Sequence, residues 1–252
     1  MRLLFIFIDN GSSKCFSGLQ EENVKIEETA VSDSVAIVEE LDRWVKQRGS
    51  GKYQRDFEEK ARYGVPENFG IQQVREEIQE FVGVLLGYPR GVMLEIGLGH
   101  FGSTHFLWRL IFEHAATIEK NSARVQTFGA NMALHYGKWV LDDGRSSFFY
   151  GMSNETSVVR KAFGEFRNGI DALFIDGDHK YESALTDWLL YSPLVKLGGL
   201  VAFHDIGVAY ERDRGSKGFV EDLEAGKVAP GKKYGFKKIR CSTFGIGYYV
   251  KE

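Results

Sequence analysis

Asp171–Ile206 reads D-A-L-F-I-D-G-D-H-K-Y-E-S-A-L-T-D-W-L-L-Y-S-P-L-V-K-L-G-G-L-V-A-F-H-D-I. Two short apolar runs, Ala172–Ile175 and Leu200–Phe203, each end in a cluster of Asp and His. A segment of helical character, Tyr181–Tyr191, joins them. A strand that runs apolar and stops in acids and imidazoles delivers those groups to the carboxyl edge of a sheet. In open α/β folds that edge is where ligands bind. Two such edges side by side make a site, with Asp176, Asp178 and His179 on one and His204 and Asp205 on the other.

The same alternation extends upstream. Val92–Ile96, Ala116–Ile118 and Ser147–Tyr150 read as strands, and Ser103–His114, Ser122–Leu134 and Glu155–Phe166 read as helices. Such βα repetition predicts a parallel sheet with helices on both faces. Near the end, Phe236–Cys241 and Gly245–Val250 read as an antiparallel hairpin at the sheet edge. The expected fold is therefore α/β and Rossmann-like, with seven mostly parallel strands. Gly207–Gly235, rich in Gly and charge, reads as a connection. Ahead of the sheet, Ser32–Arg48 and Gln72–Leu86 carry apolar residues at helical spacing, and residues 1–32 read as an irregular arm. This divides the chain into an N-terminal arm and helical cap, 1–70, and a sheet domain, 71–252. Tyr53, Phe57, Tyr63 and Phe69 are the aromatic candidates for a substrate-facing cap, with Gln72 or Gln73 near the site.

Composition limits the function classes. The chain has 252 residues, 43% hydrophobic and 27% charged, with a formal net charge of −3. That is ordinary globular composition, and it gives no reason to expect nucleic acid or an anionic membrane as partner. Cys15 and Cys241 stand far apart, so neither a disulfide framework nor a zinc site is expected, and reduced thiols suit a cytoplasmic setting. Leu3–Ile8 is too short for a membrane span and reads as a strand or packed terminus. The long N-terminal region would suit the arm of a homodimer.

Glu95-Ile96-Gly97-Leu98-Gly99-His100-Phe101-Gly102-Ser103 follows the first strand, opens a helix and matches G-x-G-x-x-G. The glycines let the backbone turn sharply against a ligand, and the helix N-terminus offers free N–H groups. Glu119 ends the second strand, 20 residues after Gly99, where a carboxylate can accept hydrogen bonds from ribose hydroxyls. A nicotinamide dinucleotide of an oxidoreductase and S-adenosylmethionine both fit this pattern. The carboxylate of Glu95 favours the second, whose ammonium and sulfonium are cationic, over a pyrophosphate.

Taken together, L-E-I-G-L-G-H-F-G-S, I-E-K, F-I-D-G-D-H-K-Y and G-G-L-V-A-F-H-D-I resemble a class I S-adenosylmethionine-dependent methyltransferase. The narrower resemblance is to the small-molecule O-methyltransferase branch with macrocin-type sugar O-methyltransferases and cephalosporin-hydroxylase-like proteins. It covers roughly residues 70–206 and the terminal F-G-I-G-Y-Y-V. The resemblance implies methyl transfer to a hydroxyl of a small-molecule substrate, a sugar or secondary metabolite. It implies cofactor contacts from Glu95, Gly97, Gly99, Gly102, Ser103, Glu119, Ser153 and Asp176. In metal-dependent members an Asp after the fourth strand and an acidic pair after the fifth hold a divalent cation, Mg2+ among the candidates, and a His serves as base. Carried over, Asp176, His204 and Asp205 are the metal residues, and His179 with Asp176 the catalytic pair. Two departures stand out. His204 replaces an acid, which also keeps open a non-catalytic or hydroxylase-type relative. Gly151-Met152-Ser153 lacks the acid that many relatives carry near Met152, which leaves adenine to Ser153 or to backbone. Asp178 reads as a helix cap, His100 and His105 as local packing, and Asp187 as a surface residue of its helix.

Overall fold

The computed structural model describes residues 19–46, 73–137, 141, 143–207, 214–229, 234–239 and 244–252, with side chains from residue 33 onward. Leu3–Ile8, the aromatics of 52–69 and both cysteines lie outside the described residues.

The elements run α1 (Leu19–Lys46), α2 (Arg75–Leu85), β1 (Val92–Ile96), α3 (Ser103–Ile111), β2 (His114–Glu119), α4 (Ser122–Tyr136) and β3 (Ser146–Tyr150). They continue as α5 (Thr156–Glu165), β4 (Ile170–Ile175), α6 (Tyr181–Tyr191), a 3-10 turn at Ser192–Leu194, β5 (Val195–His204), α7 (Gly215–Glu224), β6 (Lys237–Ile239) and β7 (Ile246–Val250). The seven strands form one sheet in the order β3-β2-β1-β4-β5-β7-β6. β7 runs antiparallel between β5 and β6, and the pairs among β1 to β5 are parallel. The reversal of strand order between β1 and β4 is the switch point where such sheets open a ligand crevice.

The central strands bury both faces, as parallel strands under two helical layers must. In β4, Ala172 and Phe174 point to one core and Leu173 and Ile175 to the other. In β5, Leu200 and Ala202 alternate with Val201 and Phe203 in the same way. The first core takes α1 to α4, the second α5 to α7. Trp44 of α1 lies in the first core, stacked on Phe106 with ring centroids 4.3 Å apart. Helix α3, caught between α1 and the sheet, is buried nearly all round.

Three readings of the sequence need correction. Residues 19–31, expected within an irregular arm, belong to the long α1 helix. The connection expected over 207–235 contains α7, whose Phe219, Val220 and Leu223 are buried. His114, expected to end a helix, begins β2 instead. Among the described residues, no helix is long and apolar enough to cross a membrane.

Candidate active site

The carboxyl ends of β1, β2, β3, β4 and β5 surround a cleft of about 660 Å³. Gly97, Gly99, Gly102 and Ser103 line it, as do Glu119, Ser153, Asp176, His179, His204 and Asp205. All of the expected site residues except Glu95 therefore face one cavity.

The glycine loop is shaped by contacts that only glycine permits. Gly97 has φ +96°, and a Cβ there would lie 2.3 Å from the carbonyl oxygen of Asp176. Gly102, at φ +68°, is the cap residue of α3, and a Cβ would meet the Phe128 ring at 2.5 Å. The loop thus presses β1 against the end of β4 and seats α3 on α4. Glu119 binds across the loop mouth. Its Oε2 accepts from the Leu98 N–H at 3.0 Å, and its Oε1 accepts from the Asn121 N–H at 2.8 Å. Arg124 donates to Oε2 at 3.3 Å. Asn121 caps α4, accepting from the Ala123 N–H at 3.0 Å.

Glu95 points away from the cleft. It lies on the α3 side of β1, fully buried, and accepts from Trp108 Nε1 at 2.9 Å and from Thr117 Oγ1 at 2.8 Å. Burial pushes its carboxyl up to about 8, against hydrogen bonds from Thr104, Thr117 and Trp108 that favour the ionised form. From Thr117 a buried relay continues through His105 Nδ1 at 2.7 Å, and from His105 Nε2 to Ser146 Oγ at 2.9 Å. Arg109 donates to Ser146 at 2.6 Å, and also to Asp143. His105 is a linker inside this relay. Sequence reasoning could not see it, because its members come from four separate elements, β1, β2, α3 and β3, and from Asp143.

Four groups meet at the ends of β4 and β5. Asp205 has φ +62°, a left-handed conformation that Asp tolerates better than most residues. This turn lets its two oxygens serve different histidines. His179 Nδ1 bonds Asp205 Oδ2, and His204 Nδ1 lies 3.4 Å from Asp205 Oδ1. His204 Nδ1 also lies 3.2 Å from Asp176 Oδ1, while Gln73 donates to Asp176 Oδ2 at 2.7 Å. Gln73, at the entrance to α2, thus belongs to the site, as its position ahead of that helix suggested. Burial opposes charge on His204, but Asp176 and Asp205 outweigh it and push the imidazole up to about 9. The hydrogen bond that His179 donates to Asp205 likewise raises the His179 pKa, against burial.

The ligating atoms of Asp176, His179 and Asp205 lie within 4.8 Å of one another. His204 falls outside that set. Its Nδ1 instead faces both carboxylates, Asp176 and Asp205. Asp178 accepts from Ser183 Oγ at 2.9 Å and lies 3.6 Å from Lys180 Nζ, so it braces the start of α6. Asp187, expected at the surface, is instead 3% exposed and lines the cleft. Its spacing could have revealed this: Ala184, Asp187, Trp188 and Tyr191 recur at helical intervals and are all buried.

Comparison with known proteins agrees with this architecture. Residues 94–206 match the family described as a methyltransferase domain. An uncharacterized protein of Acanthamoeba polyphaga mimivirus is 41% identical over 90 residues, which are 33% of this chain and 38% of that protein. The MycE methyltransferase of the mycinamycin biosynthetic pathway, solved with Mg, SAH and mycinamycin VI, superposes with a TM-score of 0.51 at 18% identity. That likeness covers 77% of this chain and 53% of MycE. An O-methyltransferase from Bacillus cereus in complex with SAH gives 0.51 at 16% identity, over 86% of this chain and 91% of that one. The chain thus spans about half of MycE and less of the viral relative. Over residues 94–206 the chain is thus similar to a methyltransferase domain, on a Rossmann-like fold like that of these O-methyltransferases.

Proposed function

We propose that this chain transfers the methyl group of S-adenosylmethionine to a hydroxyl of a small molecule, a sugar or secondary metabolite. The observation that carries the reading is the His179–Asp205 pair at the mouth of a cleft whose other wall is the glycine loop. In this reading the methionine end of the donor lies against Gly97 and Gly99, and its ribose hydroxyls bond Glu119. MycE, solved with Mg, SAH and mycinamycin VI, and the SAH complex from Bacillus cereus support it by their likeness of fold.

Methyl transfer to an alcohol needs alignment of the acceptor oxygen with the donor methyl and removal of the hydroxyl proton. His179 is placed for the proton. With Nδ1–H donated to Asp205, its tautomer leaves Nε2 to accept, and Asp205 steadies the imidazolium that forms. Asp176, fixed by Gln73 and His204, gives the acceptor a second anchor. His204 offsets the negative charge that two neighbouring carboxylates would otherwise concentrate.

The donor set of Asp176, His179 and Asp205, two carboxylates and one imidazole, fits a divalent cation such as Mg2+, Mn2+ or Fe2+. A cation held there would take up the His179 lone pair and stand in for it as the aid to deprotonation, polarising the acceptor hydroxyl and lowering its pKa. The test is methyl transfer from labelled S-adenosylmethionine to a panel of sugar and phenol hydroxyls, with and without Mn2+. Label should appear as a methyl ether, and His179→Ala should slow transfer by about 10²–10⁴-fold. Undiminished transfer in that variant would remove His179 from the role of base.

A further inference from the structure

One buried carboxyl on the cleft wall has no part in the chemistry above. Asp187 sits in the middle of α6, 3% exposed, and faces the cleft beside Ser153 and Thr186. The Ser153 side chain hydrogen-bonds it. The Ser153 carbonyl in turn accepts from the Tyr191 hydroxyl at 2.5 Å, which ties the β3–α5 turn to α6. Gly177 adjoins Asp187: a Cβ there would lie 3.8 Å from Asp187 Oδ2.

A carboxylate has about four acceptor positions, and one hydroxyl does not fill them. Burying that capacity against a ligand cleft costs free energy unless a ligand N–H completes it. Burial raises Asp187 to about 6, so the ionised, accepting form prevails at neutral pH.

Strand order indicates which part of a ligand arrives there. From the glycine loop after β1, the cleft passes Glu119 at the end of β2 and reaches Ser153 after β3. A nucleoside whose ribose lies on Glu119 and whose thioether end faces Asp176 must send its base toward Ser153 and Asp187. Resting on the donor seating proposed above, we propose that Asp187 determines specificity for the base, its carboxylate accepting a hydrogen bond from the 6-amino group of adenine. The side chain thereby supplies, from α6, the acid that the Gly151-Met152-Ser153 turn lacks. A 6-oxo base would set an oxygen against the carboxylate and be rejected, as buried polar sites reject analogues that leave them unpaired.

The experiment is calorimetric titration of the full chain with S-adenosylhomocysteine and with S-inosylhomocysteine. Wild type should prefer the adenosyl compound by roughly tenfold or more. Asp187→Asn, whose amide can donate to the 6-oxo group, should narrow that preference by about tenfold. The ratio is insensitive to a general loss of folded protein. Equal affinity of wild type for both compounds, or an unchanged ratio in Asp187→Asn, overturns the assignment and leaves the methyl-donor reading standing. If Asp187→Asn does not fold, Asp187→Ser and the wild-type ratio decide in the same way. A wild type that binds neither compound overturns both.

Discussion

Replacing Glu95 by Gln separates two roles that one carboxylate could have near a methyl donor. In the fold its oxygens accept from Trp108 and Thr117, beneath β1 and away from the cleft. Its pKa is raised from 4.5 to about 8, first by burial. The sign follows. The folded chain holds this proton where the unfolded chain releases it, so the contribution to stability is full below pH 4.5 and lost as pH rises to about 8. At about 1.4 kcal/mol per pH unit, some 3.5 units amount to roughly 5 kcal/mol across that window. Glu95→Gln has no proton to lose. Its carbonyl can accept from Trp108, and its amide can donate to Thr117 if that hydroxyl turns toward His105 Nδ1, 2.7 Å away. Urea unfolding at half-unit steps from pH 5 to pH 9 is the assay. The variant should match wild type near pH 5 and exceed it by several kcal/mol at pH 9, while its affinity for S-adenosylhomocysteine stays within about twofold of wild type. Parallel stability profiles would refute the burial argument. A large loss of affinity in the Gln variant would return Glu95 to the donor site.

Three further outcomes are expected. Gly97→Ala drives a Cβ into the Asp176 carbonyl at a left-handed φ and should lower the midpoint of thermal unfolding by several degrees and weaken S-adenosylhomocysteine binding, as calorimetry would show; a variant indistinguishable from wild type would contradict the close approach of β1 and β4. Trp44→Ala removes a fully buried ring stacked on Phe106 and should cost about 3–5 kcal/mol in chemical denaturation; a loss under 1 kcal/mol would mean that α1 does not dock as described. Mn2+ added to the protein should lose free-ion paramagnetic resonance signal, and Asp205→Asn should weaken that binding by about tenfold or more; equal binding in the variant would place the ion elsewhere.

The sheet was legible because buried parallel strands have a plain signature. Val92–Ile96 and Tyr181–Tyr191 occupy the limits read from their apolar patterns, bounded by glycines and charge. The strand-end clusters were legible for the same reason, since an apolar run that stops in Asp and His can only expose those groups at the edge. What escaped depended on faces and on distant partners. Gly215 and Gly218 hid α7, although Phe219, Val220 and Leu223 carry its buried stripe. Glu95 was read as a cofactor contact from its distance to the glycines, but the alternation along β1 turns it toward Trp108. His204 was read as a ligand because relatives hold a metal at that position. Its Nδ1 lies between Asp176 and Asp205, while the converging donor set takes His179 beside those two carboxylates.

The central claim is that the cleft is built for a methyl donor with its ribose on Glu119. Calorimetric titration with S-adenosylmethionine and with NADH, on wild type and on Glu119→Ala, tests it most directly. The account predicts saturable micromolar binding of S-adenosylmethionine, little binding of NADH, and a loss of roughly tenfold or more in affinity on removing the Glu119 carboxylate. Binding of NADH in preference to S-adenosylmethionine, or undiminished donor affinity in Glu119→Ala, would contradict it.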